Sequence, residues 1–225
     1  MTEKLKRMRA PLKMKMIKAI IFDMDGVISD TQKWHSQIES KILLKHGIKI
    51  KPSEITRKYS GVKDVDMFKE LFNQNNVKSK PEKASKEKWK EMQKKAEKKI
   101  PPIKGAKKLI KKLKSKGFKL AVASSSPTSF IQTVLKKLEI KQFDTIASSR
   151  EVKNGKPHPD VFLLAARRLK IKPKECIVIE DGVNGMIAAK KAGMKCIAFS
   201  KSKNKPADLT INQLEKITIE KIQKL

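Results

Sequence analysis

Apolar positions fall along the chain in two textures. From Met16 to Phe22 they are nearly continuous, broken only by Lys18, as in a strand buried on both faces. From 31 to 99 they recur with helical spacing. Trp34, Ile38 and Ile42 repeat every four residues in a segment that Gly47 ends, and Met67, Phe68, Leu71 and Phe72 form a second stripe. From Pro81 to Lys99 the line Ala84, Lys88, Met92, Ala96 is thin and set among lysines, which predicts shallow packing. Pro101 and Pro102 then break the pattern. Beyond Gly105, helical stretches at 105–115, 128–138, 159–169 and 184–192 alternate with strand-like runs at Lys119–Ala123, Phe143–Ala147, Cys176–Ile179 and Cys196–Phe199. Such alternation predicts an α/β protein, a Rossmann-like doubly wound parallel sheet with helices on both faces. The simplest organisation is a core of residues 16–30 and 100–225, a helical cap at 31–99 inserted after the first strand, and a loose basic tail at 1–15.

Composition adds limits rather than a function. A chain of 225 residues with 39% hydrophobic content can bury a substantial core, and no apolar run is long enough to cross a bilayer. The basic N-terminus carries no secretory apolar region, because Lys13, Lys15 and Lys18 interrupt the only candidate. Cys176 and Cys196 lack metal-type spacing and each opens a strand-like run, so both are expected as buried free thiols in a cytoplasmic protein. The net charge of +31 would draw any polyanion. Yet only six of the 54 basic residues are arginine, the residue that grips phosphate bidentately, and the lysines are spread over nearly every helix. This reads as a solvated surface, with no specific nucleic-acid or membrane partner and a monomeric enzyme expected.

The chemistry collects at the ends of the strand-like runs. Asp23-Met24-Asp25-Gly26 follows the first, placing two carboxylates where open parallel sheets bind ligands. Taken alone, the segment could instead be an acidic turn capping the helix that starts near Thr31, the lesser of the two readings. Ser124-Ser125-Ser126-Pro127 follows the second and suits either a phosphate grip or a plain helix cap. Lys156 lies in Gly155-Lys156-Pro157, on a turn from which its charge could neutralise a phosphate and a carboxylate together. Glu180-Asp181-Gly182 ends a later run, with two acids that could serve as hard oxygen ligands for Mg²⁺ or as solvated caps.

Together and in this order, Phe-Asp-Met-Asp-Gly-Val-x-x-Asp-Thr, Val-Ala-Ser-Ser-Ser, Gly-Lys-Pro-x-Pro-Asp-x-Phe and Glu-Asp-Gly-x-Asn-Gly resemble the motifs of the haloacid dehalogenase superfamily. The resemblance runs from about Ile17 to Phe199. It is narrowest to the phosphatase and phosphomutase branch that carries a helical cap after the first motif. It implies Asp23 as nucleophile forming an aspartyl-phosphate and Asp25 as the acid and base for the leaving group and water. It also implies Mg²⁺ held by Asp23, the Asp25 backbone carbonyl and Asp181, with Glu180 direct or through water. Ser124 and the Ser125 N–H would hold phosphate oxygens, Lys156 would offset charge, and Asn184 would position Lys156 or the loop.

Choices within the resemblance narrow the reaction. Asp25 argues against dehalogenation and for phosphoryl transfer to or from oxygen. β-Phosphoglucomutase-like members share a histidine at the place of His35, expected here as a hydrogen-bonding residue near the cap hinge. Those members carry an arginine three residues after a cap glycine to bind a second phosphate. If Gly61 is that glycine, this chain has Asp64 there, a carboxylate expected to repel a second phosphate. The reading is therefore a Mg²⁺-dependent phosphatase of small phosphorylated metabolites, sugar or polyol phosphates. A phosphomutase, and a non-enzymatic polyanion binder on the same fold, are the alternatives.

Overall fold

The computed structural model describes residues 16–201 and 206–225; the basic tail expected at 1–15 lies outside them. Among the described residues a six-stranded sheet runs β1 (Ala19–Phe22), β2 (Lys119–Ser124), β3 (Thr145–Ser148), β4 (Cys176–Glu180), β5 (Lys195–Phe199) and β6 (Leu209–Ile211). The spatial order is β3-β2-β1-β4-β5-β6, every neighbouring pair parallel. β1 is thus central, flanked by β2 and β4, and the chain winds away from it first one way and then the other. A crevice for ligands opens at such a reversal, at the carboxyl ends of the strands.

The two sheet faces differ in bulk. Ile20, Phe22, Leu120, Val122, Ile177 and Ile179 point to one side, packed with α5 (Ala106–Ser115), α6 (Thr128–Lys137) and α9 (Ile219–Gln223). Ala19, Ile21, Ala121, Ala123, Val178 and Ala198 point to the other, against α7 (Asp160–Leu169) and α8 (Val183–Lys191). The small alanine-rich face lets α7 lie close to the sheet and turns the phenyl of Phe162, fully buried, inward under it. Cys176 and Cys196 are buried free thiols, and burial pushes both up to about 12.

Boundaries moved where a polar group intervened. β1 begins at Ala19 rather than Met16, which is 61% exposed, while Lys18 pairs with Glu175 at 2.8 Å. β3 begins at Thr145 rather than Phe143. Asp144 instead accepts the Leu120 N–H at 2.8 Å and the Lys114 ammonium at 2.7 Å, and Phe143 packs edge-on against Phe22. β6 and α9, short and weakly patterned, were not anticipated.

Between β1 and α5 come α1 (Gln32–Lys45), α2 (Pro52–Tyr59), α3 (Asp64–Gln74) and α4 (Pro81–Lys98). The expectation of shallow packing for α4 is wrong. Ser85 and Lys88 are buried along with Ala84, Met92 and Ala96. Lys88 can be buried because its ammonium meets the Glu39 carboxylate of α1 at 2.6 Å, and a buried charge persists only when paired in this way. The position that looked like a gap in the apolar stripe is an ion pair between two helices.

Candidate active site

The strand that ends at Phe22 hands the chain to Asp23, whose N–H bonds the Ile179 carbonyl of β4 at 2.9 Å, continuing the sheet by one step. Gly26, at φ 96°, then turns the chain away, and a Cβ there would stand 2.2 Å from an Asp181 carboxylate oxygen. A glycine is required at that position by both its backbone and its neighbour. Asp181 is consequently packed against the Asp23–Gly26 turn. Asp23, Glu180 and Asp181 each offer a carboxylate oxygen, and those oxygens lie within 4.8 Å of one another.

Lys156 enters this acidic cluster from the loop between β3 and α7. Its side chain is fully buried, with Nζ 2.5 Å from Asp23 and 2.7 Å from Glu180. Desolvation disfavours its charge, but the two carboxylates outweigh that and raise its pKa. One ammonium among three carboxylates, Asp23 and Glu180 buried and Asp181 half-buried, leaves an excess of negative charge. Burial, then the Glu180 charge, push the Asp23 carboxyl well above its ordinary value despite Lys156, and the same two causes do so for Asp181. A hard divalent cation would remove that excess, and clustered carboxylate oxygens are donors of the kind such a cation takes. The residues fit the metal.

Asp25 is held differently. Thr31 donates to its Oδ1 at 2.5 Å and the His35 Nε2 lies 3.1 Å from the same oxygen. Ser126 donates to Oδ2 at 2.7 Å and Ser124 at 3.4 Å. Burial works to raise the Asp25 carboxyl, but the His35 charge and these hydrogen bonds overcome it and hold the pKa well below the usual range. His35 is fixed in turn by edge-on contacts with Trp89 and Phe130. It therefore hydrogen-bonds as the sequence suggested, and its partner is the second aspartate itself.

The remaining sequence candidates also converge. Ser125 donates a short hydrogen bond to the Gly61 carbonyl and lies 3.4 Å from Ser149 Oγ. Gly61, at φ 81°, brings its backbone to within contact of the Lys156 side chain, where an added Cβ would stand 3.3 Å from Cδ. Asn184 donates to the carbonyls of Lys58 and Ser60 at 3.3 and 3.0 Å, so it ties α8 to the loop before Gly61 rather than contacting Lys156. A pocket of about 40 Å³ lies among Asp23, Asp25, Ser124, Gly61, Trp89 and Asp181.

Asp64 departs from expectation. It is not a bare carboxylate facing the pocket: the Arg150 guanidinium, from the turn after β3, closes on its Oδ1. Ser85 Oγ and Trp89 Nε1 donate to its Oδ2, each at 2.8 Å. Its charge is neutralised, which removes most of the repulsion that its sequence position suggested. Arg150, Lys88, Glu39, Trp89, Ser126 and Thr31 were not singled out as site residues. Of these, Thr31 and Ser126 carried a signal, as the last residues of the first two motifs.

Comparison with known proteins agrees with this geometry. The sequence profile of the haloacid dehalogenase-like hydrolases matches residues 20–199. YhcW of Bacillus subtilis, which carries a provisional phosphatase name, is 35% identical over 185 residues, covering 81% of this chain and 83% of its own. The phosphorylated carbohydrates phosphatase of Thermotoga maritima is 31% identical over 182 residues, 80% of this chain and 84% of its own. The crystal structure of β-phosphoglucomutase from Clostridium difficile superposes with a TM-score of 0.84 at 30% identity, covering 93% and 96% of the two chains.

Proposed function

The chain belongs to the haloacid dehalogenase-like hydrolases, and from that premise we propose that it is a Mg²⁺-dependent phosphatase acting on phosphate monoesters of small carbohydrates. The observation that carries the proposal is the buried cluster of Asp23, Glu180 and Asp181 with the Lys156 ammonium inside it, at the carboxyl ends of the central strands.

Asp23 is the nucleophile. One of its carboxylate oxygens attacks phosphorus, the P–O bond to the sugar breaks, and an aspartyl-phosphate remains. Lys156 holds Asp23 in place and stays charged beside the growing negative charge. Mg²⁺, held by Asp23, Asp181 and the Asp25 carbonyl, with Glu180 direct or through water, would screen the repulsion between a carboxylate and a phosphate dianion. The departing alkoxide needs a proton, and Asp25, held by hydrogen bonds from Thr31 and Ser126 and bonded to His35, is the group that delivers it. Water then attacks the phosphorus, Asp25 takes its proton, and breakage of the aspartyl P–O bond releases inorganic phosphate. Ser124 and the Ser125 N–H orient the phosphate at the end of β2. The helices α1–α4 act as the cap, and the buried free thiols suit a reducing cytoplasmic setting.

The test is phosphate release from a panel of phosphorylated sugars and polyols with Mg²⁺, for the wild-type chain and for Asp23→Asn. The variant keeps the fold but cannot attack phosphorus, and turnover should fall by roughly 10⁴–10⁶. Activity within tenfold of wild type would remove Asp23 from its role. Polyanion binding that survives the substitution and ignores Mg²⁺, with no turnover in either protein, would favour a non-enzymatic reading.

A further inference from the structure

Asp160 and Phe162 close, in the first turn of α7, the motif that Gly155 and Lys156 open. Asp160 accepts the backbone N–H and the side-chain amide of Asn154, both at 3.1 Å, which ties the start of α7 back to the residues before Lys156. Phe162 donates its own N–H to the Pro159 carbonyl at 3.0 Å. The chain thus doubles back, and the Phe162 ring comes to lie under Lys156, its centroid 4.9 Å from Nζ. Packing alone does not call for a ring here. Among the described residues buried on that face of the sheet, Phe162 is the one aromatic in a layer of Ala, Val, Ile, Leu, Met and Cys. Methionine or leucine would fill similar space. Of the four lysine–ring contacts among the described residues, this is the one whose ammonium and ring are both fully buried. Water does not screen it, so it stands at the strong end of what a cation gains from a ring face.

The ring differs in kind from the other partners of Lys156. Asp23 and Glu180 hold the ammonium by charge, and the carboxylate charge of Asp23 disappears when its oxygen bonds phosphorus. The ring face keeps its electron density throughout. Resting on the phosphatase reading, we infer that Phe162 is a positioning residue, whose ring anchors the Lys156 ammonium while Asp23 passes between free carboxylate and aspartyl-phosphate. Lys156 then stays beside the reacting group in both half-reactions, instead of following the one carboxylate, Glu180, that keeps its charge. The anchor acts on the chemical steps, through Lys156, and touches neither the metal ligands nor the leaving group.

The test replaces Phe162 with monofluoro-, difluoro- and trifluorophenylalanine, which drain electron density from the ring face and add little volume. With saturating Mg²⁺ and either p-nitrophenyl phosphate or a hexitol monophosphate, kcat should fall stepwise with each fluorine. The trifluoro ring should lose about tenfold, within what a desolvated cation–π contact supplies. KM and the Mg²⁺ affinity by calorimetry should stay within about twofold, because the lost interaction belongs to the chemical steps. Phe162→Leu, with no ring face, should lose at least as much kcat as the trifluoro ring. Urea unfolding of the metal-free protein gives a readout that needs no turnover. Fluorination should lower stability in the wild-type chain, and the loss should vanish in Lys156→Met, where no cation faces the ring. A kcat indifferent to fluorination, a loss confined to KM, or equal destabilisation in both backgrounds would overturn the inference. No hydrolysis of any ester by the unfluorinated chain, with the unfolding coupling intact, would instead bring down the phosphatase reading and the ring's part in catalysis with it.

Discussion

Replacing Lys156 with Met gives a sharp test of how the acidic cluster is held. The side chain is fully buried, and its ammonium donates to Asp23 at 2.5 Å and Glu180 at 2.7 Å. Methionine fills similar volume without the charge, so packing loss is small. What remains is a set of buried carboxylates with no cation among them. Breaking a buried pair by removing one partner costs about 3–5 kcal/mol, and in metal-free protein that is the expected loss on urea unfolding at neutral pH. The pH dependence follows from Asp23. Its folded carboxyl already sits above the unfolded value through burial and Glu180, and Lys156 is the group that lowers it. In Lys156→Met the folded value rises further, so the folded state holds its proton to higher pH. Stability of the variant should therefore fall more steeply as pH rises, and its deficit should shrink as pH drops towards the carboxylate range. Mg²⁺ should restore part of the deficit, by about 2.7 kcal/mol at a hundredfold excess over Kd. Phosphatase turnover would remain depressed by orders of magnitude with metal bound. A metal-free variant within 1 kcal/mol of wild type, or a deficit that grows as pH falls, would refute the electrostatic account.

Further outcomes separate the neighbouring groups. With Asp25→Asn, esters with poor leaving groups should lose more rate than an aryl phosphate, because only the former need the proton; equal loss would show that Asp25 does not supply it. Gly61→Val places a branched side chain at φ 81° against Lys156. It should lower kcat/KM for sugar phosphates about tenfold, from roughly 1–2 kcal/mol of backbone strain, with Mg²⁺ affinity by calorimetry nearly unchanged. Asp64 is buried, yet the Lys88 and Arg150 charges outweigh desolvation and lower its pKa. Its contribution is therefore present above the unfolded value near 3.9 and lost as pH falls through the lower folded value. Asp64→Asn should cost about 1–2 kcal/mol at neutral pH, a deficit that fades in acid, and a constant deficit down to the acid limit would contradict the pairing.

Local rules carried the sequence reading a long way. Period and punctuation located most helices and strands to within a few residues, because an amphipathic stripe or an apolar run needs no partner to be visible. Three of the four motifs sit at strand ends, where an apolar run meets a polar turn, while the Lys156 motif lies in the loop between β3 and α7. What escaped was pairing at long range. Lys88 resembles any other lysine on α4 until Glu39 is beside it, and Arg150 differs from its surroundings only by facing Asp64 across 86 positions. Ser126 looked like one more capping serine although its hydroxyl reaches Asp25. Asp64 was interpreted from what it displaced in relatives, and the compensating arginine could not be seen from that position alone.

The strand order has a consequence for synthesis on the ribosome. β1 is made before both of its neighbours, and these arrive far apart: β2 after nearly a hundred residues and β4 only after roughly 160. At about 5–20 residues per second, the edge of Ala-Ile-Ile-Phe that β4 will cover stays unpaired for about 8 s or longer. A bare apolar edge of this kind is a template for pairing between chains. The proposed nucleophile, Asp23, is therefore translated long before Glu180 and Asp181, and a nascent chain halted before Glu180 carries it without the rest of the acidic cluster.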